Sequence, residues 1–357
     1  MMLHWKDRVS RSVLAAIAVI VLFAGILIVQ VPPGRAAAVD RGVSRSAWRQ
    51  VHPKFSPSAR IEAAMAYDPA NRTTLLFGGL GNGPGHRVVF GDTWTWNGVN
   101  WNQQHPASSP PARYSAVMAY EPATQSVVLF GGNDGGSIDR FLGDTWTWTG
   151  SNWVEHHPPT SPPARYSSQM ALDARTSDDV LYGGFGNAPG HAAFLGDTWE
   201  WNGNDWIQRT PAASPPGLLG GVATTAPQGV VVFGGFALTR DSSQTWLWNG
   251  STWRRWRGLG HPIGSEYPAA APVYVGGPAI LFGGFAGCCS YGSPLALGYP
   301  SATWSWNGSR WLRVVVASRP PPREEASMAT GPGRGTVVLF GGLTGTRYLR
   351  DTWVYQG

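Results

Sequence analysis

The chain has 357 residues, among them 19 Trp, 47 Gly, 29 Pro and 2 Cys, with a formal charge of +6. Two cysteines exclude a multi-disulfide framework, and the Gly, Pro and Trp content points to turns and sheets rather than helices. Residues 1–38 carry four basic residues against one acidic; the other 23 basic and 20 acidic residues form no basic run, so nothing indicates a nucleic-acid-binding protein.

The first element in chain order is apolar. Residues 13–31, VLAAIAVIVLFAGILIVQV, follow Lys6, Arg8 and Arg11 and end at Pro32 and Pro33. As a helix this stretch would span about 28 Å, close to the thickness of a bilayer's hydrocarbon core. Residues 36–38 (AAA) offer a small-residue cleavage site. Residues 1–38 therefore read as a transmembrane anchor or a signal peptide. The apolar core is longer than a usual signal peptide, which favours the anchor. Either reading exports residues 39–357 from the cytoplasm, and the anchor holds them at the cell membrane.

From there the chain repeats. GDTWTWNGVNW (residues 91–101) recurs as GDTWTWTGSNW, GDTWEWNGNDW, QTWLWNGSTW and ATWSWNGSRW, and the chain closes on DTWVYQG. The six copies lie about 50 residues apart, a period that marks a repeat architecture. A glycine doublet keeps step, ending at Gly79, Gly132, Gly184, Gly235, Gly284 and Gly342. Arg60, Arg113, Arg165 and Arg323 each stand 17 residues before the aromatic of that motif, and Met65, Met118, Met170 and Met328 follow five residues later. Gly217 and Ser265 take the arginine slot in the two divergent copies.

Each copy reads as four strands. SAVMAYEP suits a crowded inner strand. QSVVLFGG is a continuous apolar run, as a buried strand would be. DTWTWNG alternates and ends in an Asn-Gly hairpin signal, since both residues tolerate positive φ. NWNQQHP makes an outer strand stopped by proline. The last copy lacks an outer strand, and SAWRQVHP near the N-terminus supplies one: Gly357 followed by Ser46 restores the pattern GSxW. The expected fold is all-β, a six-bladed β-propeller of four-stranded antiparallel blades whose last blade is completed by an N-terminal strand. Seventeen Trp and one Tyr fill the eighteen repeat slots, so the tryptophans read as core between diverging blades rather than as sugar platforms.

These glycine doublets, opening arginines and DTWxWxGxxW stretches resemble the kelch-repeat family in its bacterial form, over residues 44–357. The resemblance implies a propeller. It leaves function open, because kelch propellers include protein-binding modules, glycan-related proteins and a few oxidases or sugar-modifying enzymes.

The loops joining the second to the third strand and the fourth to the next first strand should share one face, the mouth of the central channel. Arg60, Arg113, Arg165 and Arg323 open the inner strands there. They read either as a guanidinium ring for carboxylate ligands or as ties between blades. His86 and His191 occupy sister loops a whole blade apart, with no third ligand spaced for a metal. The longest loop, residues 286–301, carries Cys288 and Cys289, which read as a vicinal disulfide presenting Tyr291 and Tyr299 to a ligand, as free thiols, or as cysteines pairing between chains. Asp92, Asp144, Asp197 and Asp351 recur with the repeat and read as turn caps. No nucleophile elbow, zinc-protease helix or phosphate loop occurs, and no metal or other cofactor is expected. The expectation is an exported binding module for a protein or surface glycan at the cell envelope. A carbohydrate-active enzyme and a structural envelope protein without a discrete ligand are the alternatives.

Overall fold

A computed structural model describes residues 46–357 apart from 84, 137–139, 189–190, 238–239 and 288–297. Contacts divide the chain into Met1–Ser44 and Arg45–Gly357. The expected anchor at 13–31 and cleavage site at 36–38 lie outside the described residues, as do Cys288, Cys289 and Tyr291. Among the described residues, no helix is long and apolar enough to cross a membrane.

Six antiparallel sheets repeat one plan of four strands, and the fourth carries an extra short strand, Arg240–Asp241. In the first sheet the strands are Ala64–Asp68, Thr73–Phe77, Thr93–Trp96 and Trp101–Gln104, in that spatial order. The other inner strands are Val117–Glu121, Gln169–Asp173, Leu219–Ala226, Ala269–Pro272 and Ser327–Thr330. Each inner strand packs beside the next, and the sixth packs beside the first. Sheets arranged radially around a closed circle of inner strands form a β-propeller.

The N-terminal strand Ala47–Val51 completes the sixth sheet by pairing with Thr352–Gln356, Trp48 opposite Tyr355. This pairing covers the edge that Thr352–Gln356 would otherwise present and ties the N-terminal strand into the last sheet.

The tryptophans join sheet to sheet. The outer-strand indoles Trp101, Trp153, Trp206, Trp253, Trp311 and Trp48 donate to the hydroxyls of Thr352, Thr93, Thr145, Thr198, Thr245 and Thr303 in the preceding sheet, at 2.9–3.0 Å. The same six rings meet Phe340, Phe77, Phe130, Tyr182, Phe233 and Phe282 of that neighbour, with centroids 5.1–5.8 Å apart. A wedge-shaped gap needs a large flat filler, and indole adds an N–H that the buried threonine satisfies. Trp96, Trp148, Trp201, Trp248, Trp306 and Tyr355 lie beneath them, all buried.

The turn after DTWxW differs from expectation. Its glycine takes positive φ (Gly98 +96°, Gly203 +94°, Gly250 +83°, Gly308 +94°), but the preceding Asn does not. Asn97 works through its side chain instead, its Oδ1 accepting the N–H groups of Val99 and Asn100. The connection is a four-residue Asx-type turn rather than a two-residue hairpin.

Candidate ligand-binding site at the channel mouth

The arginines open the inner strands at the mouth end, yet each turns into its own sheet. Arg113 donates to Oδ1 and Oδ2 of Asp144 at 2.6 and 2.7 Å, to the Gly131 carbonyl and to the Pro111 carbonyl. Arg60 with Asp92, Arg165 with Asp197 and Arg323 with Asp351 repeat this geometry. Arg60 also lies over the Phe90 ring, 4.0 Å from its centroid. The four arginines are at most 1% exposed. They are ties within the blade, and their guanidinium groups do not line the mouth.

The Asp residues are therefore ion-pair partners as well as repeat markers. Their second oxygen also accepts the indole N–H two residues on, as Asp144 does from Trp146 at 2.7 Å. Burial alone would raise the Asp144 carboxyl. The Arg113 hydrogen bonds and charge, with the Trp146 indole, outweigh it and hold the carboxyl below its usual range. In the fourth sheet the backbone puts Leu218, not Gly217, in the arginine slot, because its carbonyl takes the Gly184 N–H as that of Arg113 takes the Gly79 N–H.

Two residues beyond each arginine slot the chain forms a neck. Glu62, Ser115, Ser167, Gly220, Tyr267 and Glu325 are joined in a closed ring of six backbone hydrogen bonds. Each N–H donates to the carbonyl of the ring residue before it, from 2.6 Å (Tyr267 to Gly220) to 3.2 Å. All six have φ between +50° and +63°. Left-handed backbone costs a non-glycine residue of order 1–3 kcal/mol and is worth reading as a pointer to function. Here the ring's hydrogen bonds hold it in place.

Three consecutive ring members carry chemistry: Tyr267, Glu325 and Glu62. Tyr114, beside Ser115, and Tyr348 lie within their field. Burial, then Glu62, then smaller effects from Arg87, Asp134 and Glu325 leave the Tyr114 phenol pushed up to about 12. Burial followed by Glu62 and Glu325 raises Tyr267 well above its ordinary value. Tyr348 is raised by burial, against Arg87, with Glu325 and Glu62 adding to the rise. These phenols stay protonated at neutral pH and offer both donors and acceptors beside two carboxylates. Such a set can bind hydroxyl or amine groups. Among the described residues no group of three His, Cys, Asp or Glu could hold a metal ion.

Gly220 is the one glycine of the ring, and the Tyr267 ring lies 2.7 Å from where its Cβ would be. Gly220→Ala should therefore destabilise the fold by about 1–3 kcal/mol through overpacking at a left-handed site. The measurement is a chemical-denaturation curve. A midpoint equal to that of the parent would mean that Tyr267 is free to move away.

Beneath the neck a cavity of about 250 Å³ is lined by all six inner strands, with Met65, Met118, Met170 and Met328 among its walls. Above, second-to-third connections form hairpins, among them Leu80–Gly83 with His86–Val89, Phe185–Ala188 with His191–Phe194, and Leu343–Thr344 with Arg347–Tyr348. His86 and His191 hold matching places at the hairpin tips, opposite Gly83 and Ala188, and are exposed. Tyr299 stands edge-on to Phe285 at 5.6 Å, and its hydroxyl accepts the Gly345 N–H. It thus ties the fifth-sheet loop to the sixth.

The neck residues escaped sequence reasoning because they share no residue type. The available signal was positional, two residues after each arginine slot.

No protein-family model matches the chain. The solved structure of YjhT, a kelch-type propeller, is similar with a TM-score of 0.62 and 14% identity over 85% of this chain and 99% of YjhT. At that identity the likeness shows the β-propeller fold alone.

Proposed function

We propose that this chain is an exported or membrane-anchored binding module, a six-bladed propeller of kelch type that engages a protein or surface-glycan ligand on its mouth face. The ligand presents hydroxyl or amine groups to Glu62, Glu325, Tyr114 and Tyr267. One observation carries the reading: Glu62 and Glu325 stand on a strained, closed neck at the mouth with the Tyr114 and Tyr267 phenols in their field, while the arginines are consumed inside the blades. Side chains carried on strained backbone of a rigid scaffold are what a fixed binding surface requires.

The test is capture from cell-envelope extract by the immobilised full chain in detergent, before and after protease digestion of the extract. Capture should fall at least tenfold with the Glu62→Gln, Glu325→Gln double variant, since hydrogen bonds to charged groups contribute about 1.5–3 kcal/mol each. Loss on digestion would identify a protein ligand, and survival a glycan. Undiminished capture by the double variant would remove the neck from the binding surface.

A further inference from the structure

One residue of the third sheet breaks the repeat. In the second strand, the position opposite the middle aromatic of the third strand is Thr74, Val127, Val230, Ala279 or Val337 in the other sheets; here it is Asp179, opposite Trp201. Asp179 is fully buried and neither carboxyl oxygen has a hydrogen-bond partner. A lone ionised carboxylate in that setting is strongly disfavoured. Departures from a repeat that survive at such a cost mark a special role.

The second half of the site comes from the sheet before. Glu121 ends the inner strand of the second sheet, is likewise fully buried, and crosses to the third sheet's outer turn, its Cγ 3.5 Å from where a Gly203 Cβ would lie. Its Oε1 accepts the Ala123 N–H, and its Oε2 has no partner. The sister acids are fully engaged. Asp68 accepts from the Asn71 backbone and side chain, and Asp173 from Arg175. Among the described residues, the seam between the second and third sheets buries two carboxyls with three unpartnered oxygens.

Among the described residues no cation is paired with either carboxyl. Arg175 is held by Asp173 and the Asn249 carbonyl. Arg209 is bonded to Glu200, whose other oxygen takes the Trp248 indole N–H, and its charge reaches Asp178. Asp178, beside Asp179, and Glu121 itself act on Asp179 with like charge. His156, on the outer strand of the second sheet, faces the Thr147 hydroxyl and the Trp201 ring.

We propose that Asp179 keeps its proton at neutral pH in a seam where Glu121 is also buried, forming a protonated-carboxyl latch between the second and third blades that is released when that proton is lost to water. Ionised twice, the pair would leave two like charges buried with no counter-ion. Burial, then the charges of Glu121 and Asp178, holds the Asp179 carboxyl well above its ordinary range. Burial, opposed by the Ala123 N–H and helped by Asp178, lifts Glu121 from 4.5 to about 7.

The sign follows. These are acids whose folded-state pKa is raised, so their stabilisation is complete below the unfolded value and declines as pH rises through the folded one. For Glu121 that window runs from 4.5 to about 7. The folding constant should fall by up to about tenfold per pH unit across it. His156 is lowered, chiefly by burial, and gives the opposite slope.

The experiment is urea unfolding of the full chain in detergent from pH 5 to pH 9, beside Asp179→Val, which restores the residue found in three sister sheets, and Glu121→Gln. The parent should lose stability as pH rises. Asp179→Val should be at least tenfold more stable in folding constant at pH 8 and should have a shallower slope, the remainder belonging to Glu121. A protonated-carboxyl stretch in the infrared spectrum at pH 8, absent in Asp179→Val, gives a readout that packing alone would not move. An unchanged slope in Asp179→Val, or a loss of stability at pH 8, would overturn the latch. Should neither variant fold, the infrared band of the parent decides, and its absence at pH 8 overturns the proposal.

Discussion

Arg113→Ala should cost about 3–5 kcal/mol of stability, because it strands a buried partner rather than deleting a contact. Asp144 would keep its indole bond from Trp146 but lose both guanidinium bonds, and the Gly131 and Pro111 carbonyls would lose a donor. The repeat contains its own control. In the fourth sheet Leu218 stands in the arginine slot and Gln244 in the aspartate slot, where Gln244 still accepts the Trp246 indole at 2.9 Å. In the fifth sheet Ser265 accompanies Ala302. The double variant Arg113→Leu, Asp144→Gln should therefore recover much of the loss. Urea midpoints measure both. A single variant within about 1 kcal/mol of the parent, the scale of an exposed ion pair, would mean that the pair has little structural weight. All four Asp carboxyls are held below their usual range, so their contribution is present above the unfolded value of about 3.9 and is lost as acid carries pH through the folded one.

Trp48→Ala should cost a further set of contacts at the point of ring closure, about 3–5 kcal/mol for a buried tryptophan. The residue is 1% exposed, donates to Thr303 at 3.0 Å and packs on Phe282 and Tyr355. Its loss opens the junction between the fifth and sixth sheets. Amide exchange is expected to accelerate in Ala47–Val51 and Thr352–Gln356 before the second and third sheets respond. Val315→Ala, at a site 84% exposed, provides the comparison and should change stability by less than about 0.5 kcal/mol. Equal effects from the two substitutions would mean that the N-terminal strand closes nothing.

The neck and the latch would answer differently to pH and to ligand. Substitutions at Glu62 and Glu325 are read in capture. Substitutions at Glu121 and Asp179 are read in stability and lie in another part of the fold. A ligand-binding defect that follows the latch variants only above neutral pH would show that blade seams support the mouth.

The sequence by itself determined the repeat, the four strands of each copy, the tryptophans' role as core and the N-terminal strand that closes the circle. Those features are local and periodic, and six copies average away the accidents of any one. Tertiary structure alone decided where the charges go. Arg113 and Asp144 are 31 residues apart, and nothing local says that a guanidinium at a strand's start turns sideways into its sheet rather than up to the mouth. The joint loss of both residues in the fourth and fifth copies was the one trace of the pairing. The neck left no composition signal either, since backbone bonds around the axis, not glycines, hold Glu62, Ser115, Ser167, Tyr267 and Glu325 in left-handed backbone. Asp179 is visible as an acid in an apolar run, but its partner Glu121 sits in another copy. A strand pattern reports which face a side chain takes; only the packed ring sets what that face meets.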